Sequence, residues 1–208
     1  MLRLHSLIGD HMVLQKGNAT VLSGWAAPGV TVMVEFCGTL LETVADGRGR
    51  LQQIREAQMQ ALALPGVGLV VTIDIGEEHA HPRNKQEVGR RLALAARALT
   101  YGEPVGYSGP LFERMEIQGA KARLYFQHAA GLRLTGAPEL FAIAPETGPF
   151  LWARAEIDGE TVLVHHPEIQ HPWAVRYGWA ENPPTGLTNA HGLPASPFRT
   201  DVDQPPPR

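Results

Sequence analysis

Cysteine is almost missing from this chain. Cys37 stands alone among 208 residues, so neither an internal disulfide nor a thiolate zinc cage can form within it, and it reads as a small buried hydrophobe. Serine is scarce too: Ser6, Ser23, Ser108 and Ser196 are the four in the sequence. No run of lysine or arginine offsets a formal net charge of -3 at pH 7, which removes the electrostatic footprint that a phosphate backbone requires. Nucleic acid is therefore not an expected partner. No apolar stretch approaches the roughly 18 residues of a membrane span, and the N-terminus lacks a basic segment followed by an apolar one. Neither a membrane partner nor an export signal is expected from this sequence. What is plentiful is apolar side chain, at 44%, enough for the core of one or two globular domains.

The chain changes texture twice. Residues 1–50 read as a β-rich segment. After the turn signal "AAPG", the stretch "TVMVEFCG" sets Val32, Val34 and Phe36 on one face and Thr31, Met33 and Glu35 on the other, the alternation of a half-buried strand. Residues 51–102 switch period: "LQQIREAQMQAL" spaces Leu51, Ile54, Ala57, Ala61 and Leu62 as one face of a helix over 51–62. The following "LVVTIDI" is apolar almost throughout, the pattern of a strand covered on both faces in a parallel α/β sheet. A second helix is then expected, with Asn84 as N-cap and the Glu87 carboxylate reaching back in a capping box. Its expected inner stripe is Val88, Leu92, Ala95 and Leu99, opposite Arg90 and Arg97. Residues 103–208 return to strands in "ARLYFQH", "LFAIA" and "ARAEIDGETVLV", where Asp158-Gly159 suits a two-residue hairpin turn, and they close on a loop and tail.

Between the apolar run and the second helix lies "GEEHAHPRNK", residues 76–85. In open α/β sheets reacting groups gather at the carboxyl ends of strands, and Glu77, Glu78, His79 and His81 fall at such an end. A histidine base needs a carboxylate to fix its tautomer and stabilise its cation; Glu78, three residues before His81, is placed to curl back and do so. The same residues also fit a solvated polar loop leading into a helix cap, or a metal site on His79 and His81 that would need a third ligand from elsewhere.

Two long stretches, Ile54 to Leu94 and Ala174 to Asp201, carry "REAQ", "VVTIDIG", "HPRNKQEVGRRLAL", "AVRYGWA" and "GLPASPFRTD". They resemble blocks of the sialate O-acetylesterases, and "LRLHSLIGDHMVLQKG" with "VLSGWAAPGVTVMVEFCG" is similar to that family's N-terminal β-domain. The resemblance implies hydrolysis of acetyl esters by an SGNH-type hydrolase domain flanked by β-rich segments, without metal or organic cofactor. O-acetylated sialic acid or another acetylated glycan is the implied partner, and family members are often periplasmic or secreted. His81, in "HP", matches the family's catalytic histidine; His79 stands where the family often has an aspartate, which leaves Glu78 as the carboxylate. The family's nucleophile block, a "GQSNM"-like stretch, has no counterpart between Gly38 and Ile54. None of the four serines sits on a glycine-flanked strand-to-helix elbow, and nothing near Cys37 in the sequence would activate it as a thiolate.

Trp152, Trp173, Tyr177 and Trp179 offer flat faces to a sugar ring, yet the alternation in "WAVRYGWA" puts Trp173, Val175, Tyr177 and Trp179 on one face, as a sheet core requires. His165, His166 and His171 lack ordered ligand spacing and read as structural or solvated, while Arg199 reads as an anchor of the terminal loop. The expected fold is α+β: a β-sandwich from the N- and C-terminal segments with a shortened SGNH-hydrolase-like α/β remnant between them. Two functions follow. One is a sugar O-acetylesterase using Ser/His catalysis but inactive alone, because its nucleophile block is absent. The other is a non-catalytic carbohydrate-binding or interaction module left by an internal deletion.

Overall fold

Alternating apolar residues in the last hundred positions build one antiparallel sheet, and most of the structure is arranged around it. The protein is described by a computed structural model over residues 3–4, 24–25, 31–36, 39–44, 51–77, 83–136, 139–180 and 182–201, with backbone alone up to residue 44. It divides into two compact units, residues 1–67 and 68–208.

In the first unit, β1 (Arg3–Leu4) pairs antiparallel with β2 (Gly24–Trp25), and β3 (Thr31–Phe36) pairs with β4 (Thr39–Val44). The expected strand at 31–36 is therefore present. The helical spacing after residue 50 gives α1 (Leu51–Gln60), which runs into a single 3-10 turn at Ala61–Ala63.

The second unit opens with a departure from expectation. "LVVTIDI" forms no strand: residues 69–72 are irregular, and Ile73–Ile75 close a 3-10 turn. A buried strand needs neighbours for its N–H and C=O groups. Here the Val71 carbonyl accepts instead from the Arg91 guanidinium at 2.6 Å, and the Ile75 N–H donates to the Thr72 carbonyl at 3.3 Å. Ile73 becomes a core residue, 8% exposed, and Val71 packs beside it.

The second helix, α2 (Lys85–Leu99), starts where expected. Asn84 Oδ1 accepts from the Glu87 N–H at 3.1 Å, half of the expected capping box. The other half is not made, because the Glu87 carboxylate turns to Arg90 and Arg91. The inner stripe also differs from the expected one. Arg91 and Ala95 are buried, whereas Leu92 and Leu99 are 53% and 49% exposed. The inward face is set by where Arg91 finds acceptors, not by where leucine recurs.

The seven sheet strands are β5 (Leu111–Gln118), β6 (Lys121–Gln127), β8 (Phe141–Ala144), β9 (Leu151–Asp158), β10 (Thr161–His165), β11 (Ala174–Tyr177) and β13 (Phe198–Arg199), in spatial order β13-β11-β8-β9-β10-β6-β5. A short pair, β7 (Arg133–Leu134) with β12 (Leu187–Thr188), accompanies them. Period two fixes the inward set: Ala122, Leu124 and Phe126 on β6, Val162 and Val164 on β10, Phe141 and Ile143 on β8, Val175 and Tyr177 on β11. The buried Tyr177 hydroxyl finds partners as well, accepting from the Leu187 N–H at 3.2 Å and the Gly186 N–H at 3.4 Å.

Both two-residue hairpins of this sheet place glycine first in the turn. Gln118 pairs with Lys121, and Asp158 with Thr161, leaving Gly119-Ala120 and Gly159-Glu160 as the loops. The second turn thus lies one residue beyond the expected Asp158-Gly159. Gly119 and Gly159 have φ of 60° and 62° while Ala120 and Glu160 do not have positive φ, so the single left-handed position falls on the residue that tolerates it.

The sheet curls until its edges meet. Phe112 of β5 stacks on Phe198 of β13 with ring centroids 4.3 Å apart, and the Ser196 N–H donates to the Pro110 carbonyl at 3.1 Å. A bulge between Phe112 and Arg114 bends β5 toward this seam. Gly109 allows the close approach, since a Cβ there would stand 1.9 Å from the Pro194 carbonyl oxygen. The result is a nearly closed sheet whose core is sealed on both edges.

Candidate functional site

The described residues on either side of the candidate loop, Glu77 and Arg83, are tied to each other. Glu77 Oε1 accepts from the Arg83 N–H at 2.8 Å, and the Arg83 guanidinium stands 3.7 Å from Glu77 Oε2, so one carboxylate bridges six positions. Behind it, Arg91 is 4% exposed and holds three elements at once. Its Nη1 and Nη2 donate to the two Asp74 oxygens at 2.6 Å each, its Nε to Glu87 at 2.8 Å, and Nη1 also to Val71. The bidentate fork is why arginine fits here and lysine would not. Hydrogen bonds from Arg90 and Arg91 hold the Glu87 carboxyl down at about 2.

His81, Glu78 and His79 lie outside the described residues, as do Ser6, Ser23 and Cys37. What is described is the frame around the first three. Gly76 lies against Asn182, with a Cβ there only 2.9 Å from Asn182 Oδ1. The two described serines are not displayed as nucleophiles. Ser108 is 8% exposed with its hydroxyl donating to the Gly109 carbonyl at 2.9 Å, and Ser196 is 3% exposed with its hydroxyl on the Pro197 carbonyl at 3.4 Å. Among the described residues no group of three His, Cys, Asp or Glu side chains gathers as metal ligands. His165 Nε2 lies 3.7 Å from Glu156, and His166 Nδ1 accepts from the Glu168 N–H.

The aromatic residues follow the expected register only in part: Trp179, expected on the core face with Tyr177, comes after Gly178 (φ 57°) and is half-buried on the wall of an outer cleft. Val175 and Tyr177 are fully buried, as the alternation required, but Trp152 is 59% exposed. On the outer face, Trp152 of β9, Ala142 of β8 and Arg176 of β11 form one cross-strand row. A small residue between two large ones leaves a groove. That groove is a cleft of about 270 Å³ with Phe150, Trp179 and Glu139 also on its walls. Arg176 is fixed in it: its guanidinium lies 3.9 Å from the Phe150 ring centroid, and its Nε and Nη2 donate to the Asp201 carboxylate. Burial would raise the Asp201 carboxyl, but the bond and charge of Arg176 outweigh it and hold it below the ordinary range. Arg176 with Asp201 ties down the terminal segment, helped by Thr200, whose Oγ1 accepts from the Val175 N–H; the guanidinium of Arg199, the residue expected to anchor it, sits 5.0 Å from the Trp179 ring. Sequence reading does not single out Arg176, Phe150 or Ala142, although the outward register of Arg176 follows from the alternation that turns Val175 and Tyr177 inward.

With this geometry in view, comparison with known proteins gives a definite direction. The chain is similar to carbohydrate acetylesterases. A solved structure of a carbohydrate acetylesterase from Xanthomonas citri matches with a TM-score of 0.69 and 47% identity, over 73% of this chain and 36% of that one. The sialate O-acetylesterases of Homo sapiens and Pongo abelii are each 38% identical over 73 residues, 31% of this chain. The chain spans 14% of the length of those two relatives. No family model matches it.

Proposed function

We propose that this chain is part of a sugar O-acetylesterase of the SGNH type, with residues 51–102 the remnant of its hydrolase domain and His81 the base of its reaction. In that reaction a serine oxygen attacks the acetyl carbon while the imidazole takes the serine proton; the imidazole then returns the proton to the departing sugar oxygen, and water releases the acetyl group by the same route. Glu78 orients the imidazole. The substrate class is an acetyl ester on sialic acid or another sugar.

The observation that carries this reading is the 47% identity with a solved carbohydrate acetylesterase across 73% of the chain. A second feature bears on activity. Ser108 and Ser196 are buried with their hydroxyls on neighbouring carbonyls, which supports a nucleophile supplied from outside this chain. On this reading the chain alone is inactive.

Hydrolysis of p-nitrophenyl acetate by the purified chain and by a His81→Ala variant tests it. Equal rates near background are expected for both. A rate above background that disappears in the variant would place a working nucleophile within the chain, and Ser108→Ala would then be the next substitution.

A further inference from the structure

We propose that the cleft floored by Ala142 and walled by Trp152, Phe150 and Trp179 is a glycan-binding subsite that favours neutral sugars over carboxylated ones. Trp152 is the first reason. A tryptophan 59% exposed on a sheet face forgoes most of the burial that a large aromatic normally gains, and it does so beside a concavity rather than on a flat surface. Such a ring offers its face to the C–H side of a pyranose, and Trp179, with the Arg199 guanidinium 5.0 Å from its ring centroid, also lines the cleft.

The polar groups complete the fit. Arg176 is immobilised before any ligand arrives, by Phe150 against its guanidinium and Asp201 on its Nε and Nη2. Two of its N–H groups are thereby used, and a guanidinium has five. The others are donors for sugar hydroxyl oxygens, and Glu139 on the rim is an acceptor for sugar hydroxyl protons. Donors and acceptors together with apolar faces are what a hydroxyl-rich ring requires.

Charge decides which sugar. The charged residues lining the cleft are Arg176, already matched by Asp201 in a bidentate pair, and Glu139, which adds a negative charge. With Arg176 held by Asp201 and Glu139 on the wall, the lining offers a carboxylate no unmatched positive charge, so a sialic or uronic acid would lose hydration without gaining a counter-charge. Position adds meaning if the esterase reading holds. Asn182, against which Gly76 packs, stands between the cleft residues Ala180 and Pro183, so the loop leading to His81 starts at the border of the cleft. A glycan seated there would be held next to that loop.

Titration calorimetry with unacetylated oligosaccharides tests the subsite without any ester, so its outcome and that of the p-nitrophenyl acetate assay are read separately. The ligands are β-1,4-linked hexaoses of glucose, xylose and mannose, with 3′-sialyllactose and hexagalacturonate as the acidic members. At least one neutral hexaose is expected to bind and neither acidic one to bind more tightly. Trp152→Ala should weaken that binding by about tenfold or more, as loss of an aromatic anchor does, and Trp152→Tyr should restore most of it. Trp152 is exposed, so an unchanged melting temperature confirms that the variants are folded. The proposal is overturned if no neutral hexaose binds, if an acidic ligand binds best, or if Trp152→Ala binds as well as the parent.

Discussion

The curled sheet and the segment that precedes it, residues 69–99, are held by opposite physics. The sheet is closed by apolar side chains: Leu124, Phe141, Ile143, Val162, Val164 and Val175 are all fully buried, and none depends on charge. The preceding segment places one hydrophobe, Ile73, firmly in that core and is otherwise gathered around Arg91, which reaches Val71, Asp74 and Glu87 with a single guanidinium. An apolar lattice distributes its stability over many small contacts, whereas a guanidinium hub concentrates it in one residue.

The largest effect should come from breaking the apolar side. Leu124→Ala removes a fully buried side chain at the centre of the sheet and should cost about 2–5 kcal/mol of global stability, read as a shift in urea midpoint with an unchanged slope. Arg91→Met breaks the other side. It should cost about 2–3 kcal/mol, because Asp74 and the Val71 carbonyl lose charge-assisted bonds, and hydrogen exchange should show the loss in 69–99 before the sheet. Uniform loss of protection across both regions would mean that the two are one cooperative unit.

Acid should produce the smallest and most selective change. The Glu87 carboxyl lies at about 2 in the folded protein against an ordinary 4.5. Its contribution is therefore complete above about pH 4.5 and is lost as pH falls through about 2, on the order of 1 kcal/mol for a partly exposed group. Amide protection in α2 should fall across that window while the central strands β9 and β10 keep theirs. Asp201 is lowered too, so the β11–β13 edge is the part of the sheet that should respond. Loss in β9 and β10 at the same pH as in α2 would erase the contrast.

Particular residues show how far the sequence could be read. "ARLYFQH" and "TVLV" are legible as strands because their pattern is local, and Asn84 is legible as a cap for the same reason. "LVVTIDI" departs from expectation because an apolar run specifies burial and not pairing; among the described residues no strand pairs with it, and the Val71 carbonyl accepts from Arg91 instead. Leu92 and Leu99 misled for a related reason, for helical spacing identifies two candidate faces when a buried arginine chooses between them. The aromatic set was half legible. Register assigned Tyr177 to the core, but the cleft beside Trp152 depends on Ala142 lying across from it, a pairing between strands that are not read together in one dimension.

By itself the sequence determined the elements whose cause is local or periodic: two helices, the helix cap at Asn84 and the strands of the last hundred residues. Tertiary structure alone decided which strands became neighbours, that the sheet's two edges meet at Phe112 and Phe198, and that Ala142 opens a groove between Trp152 and Arg176. The reason is physical. Backbone geometry and side-chain period act within a few residues, whereas a seam or a cleft exists only when segments tens of residues apart are brought into register.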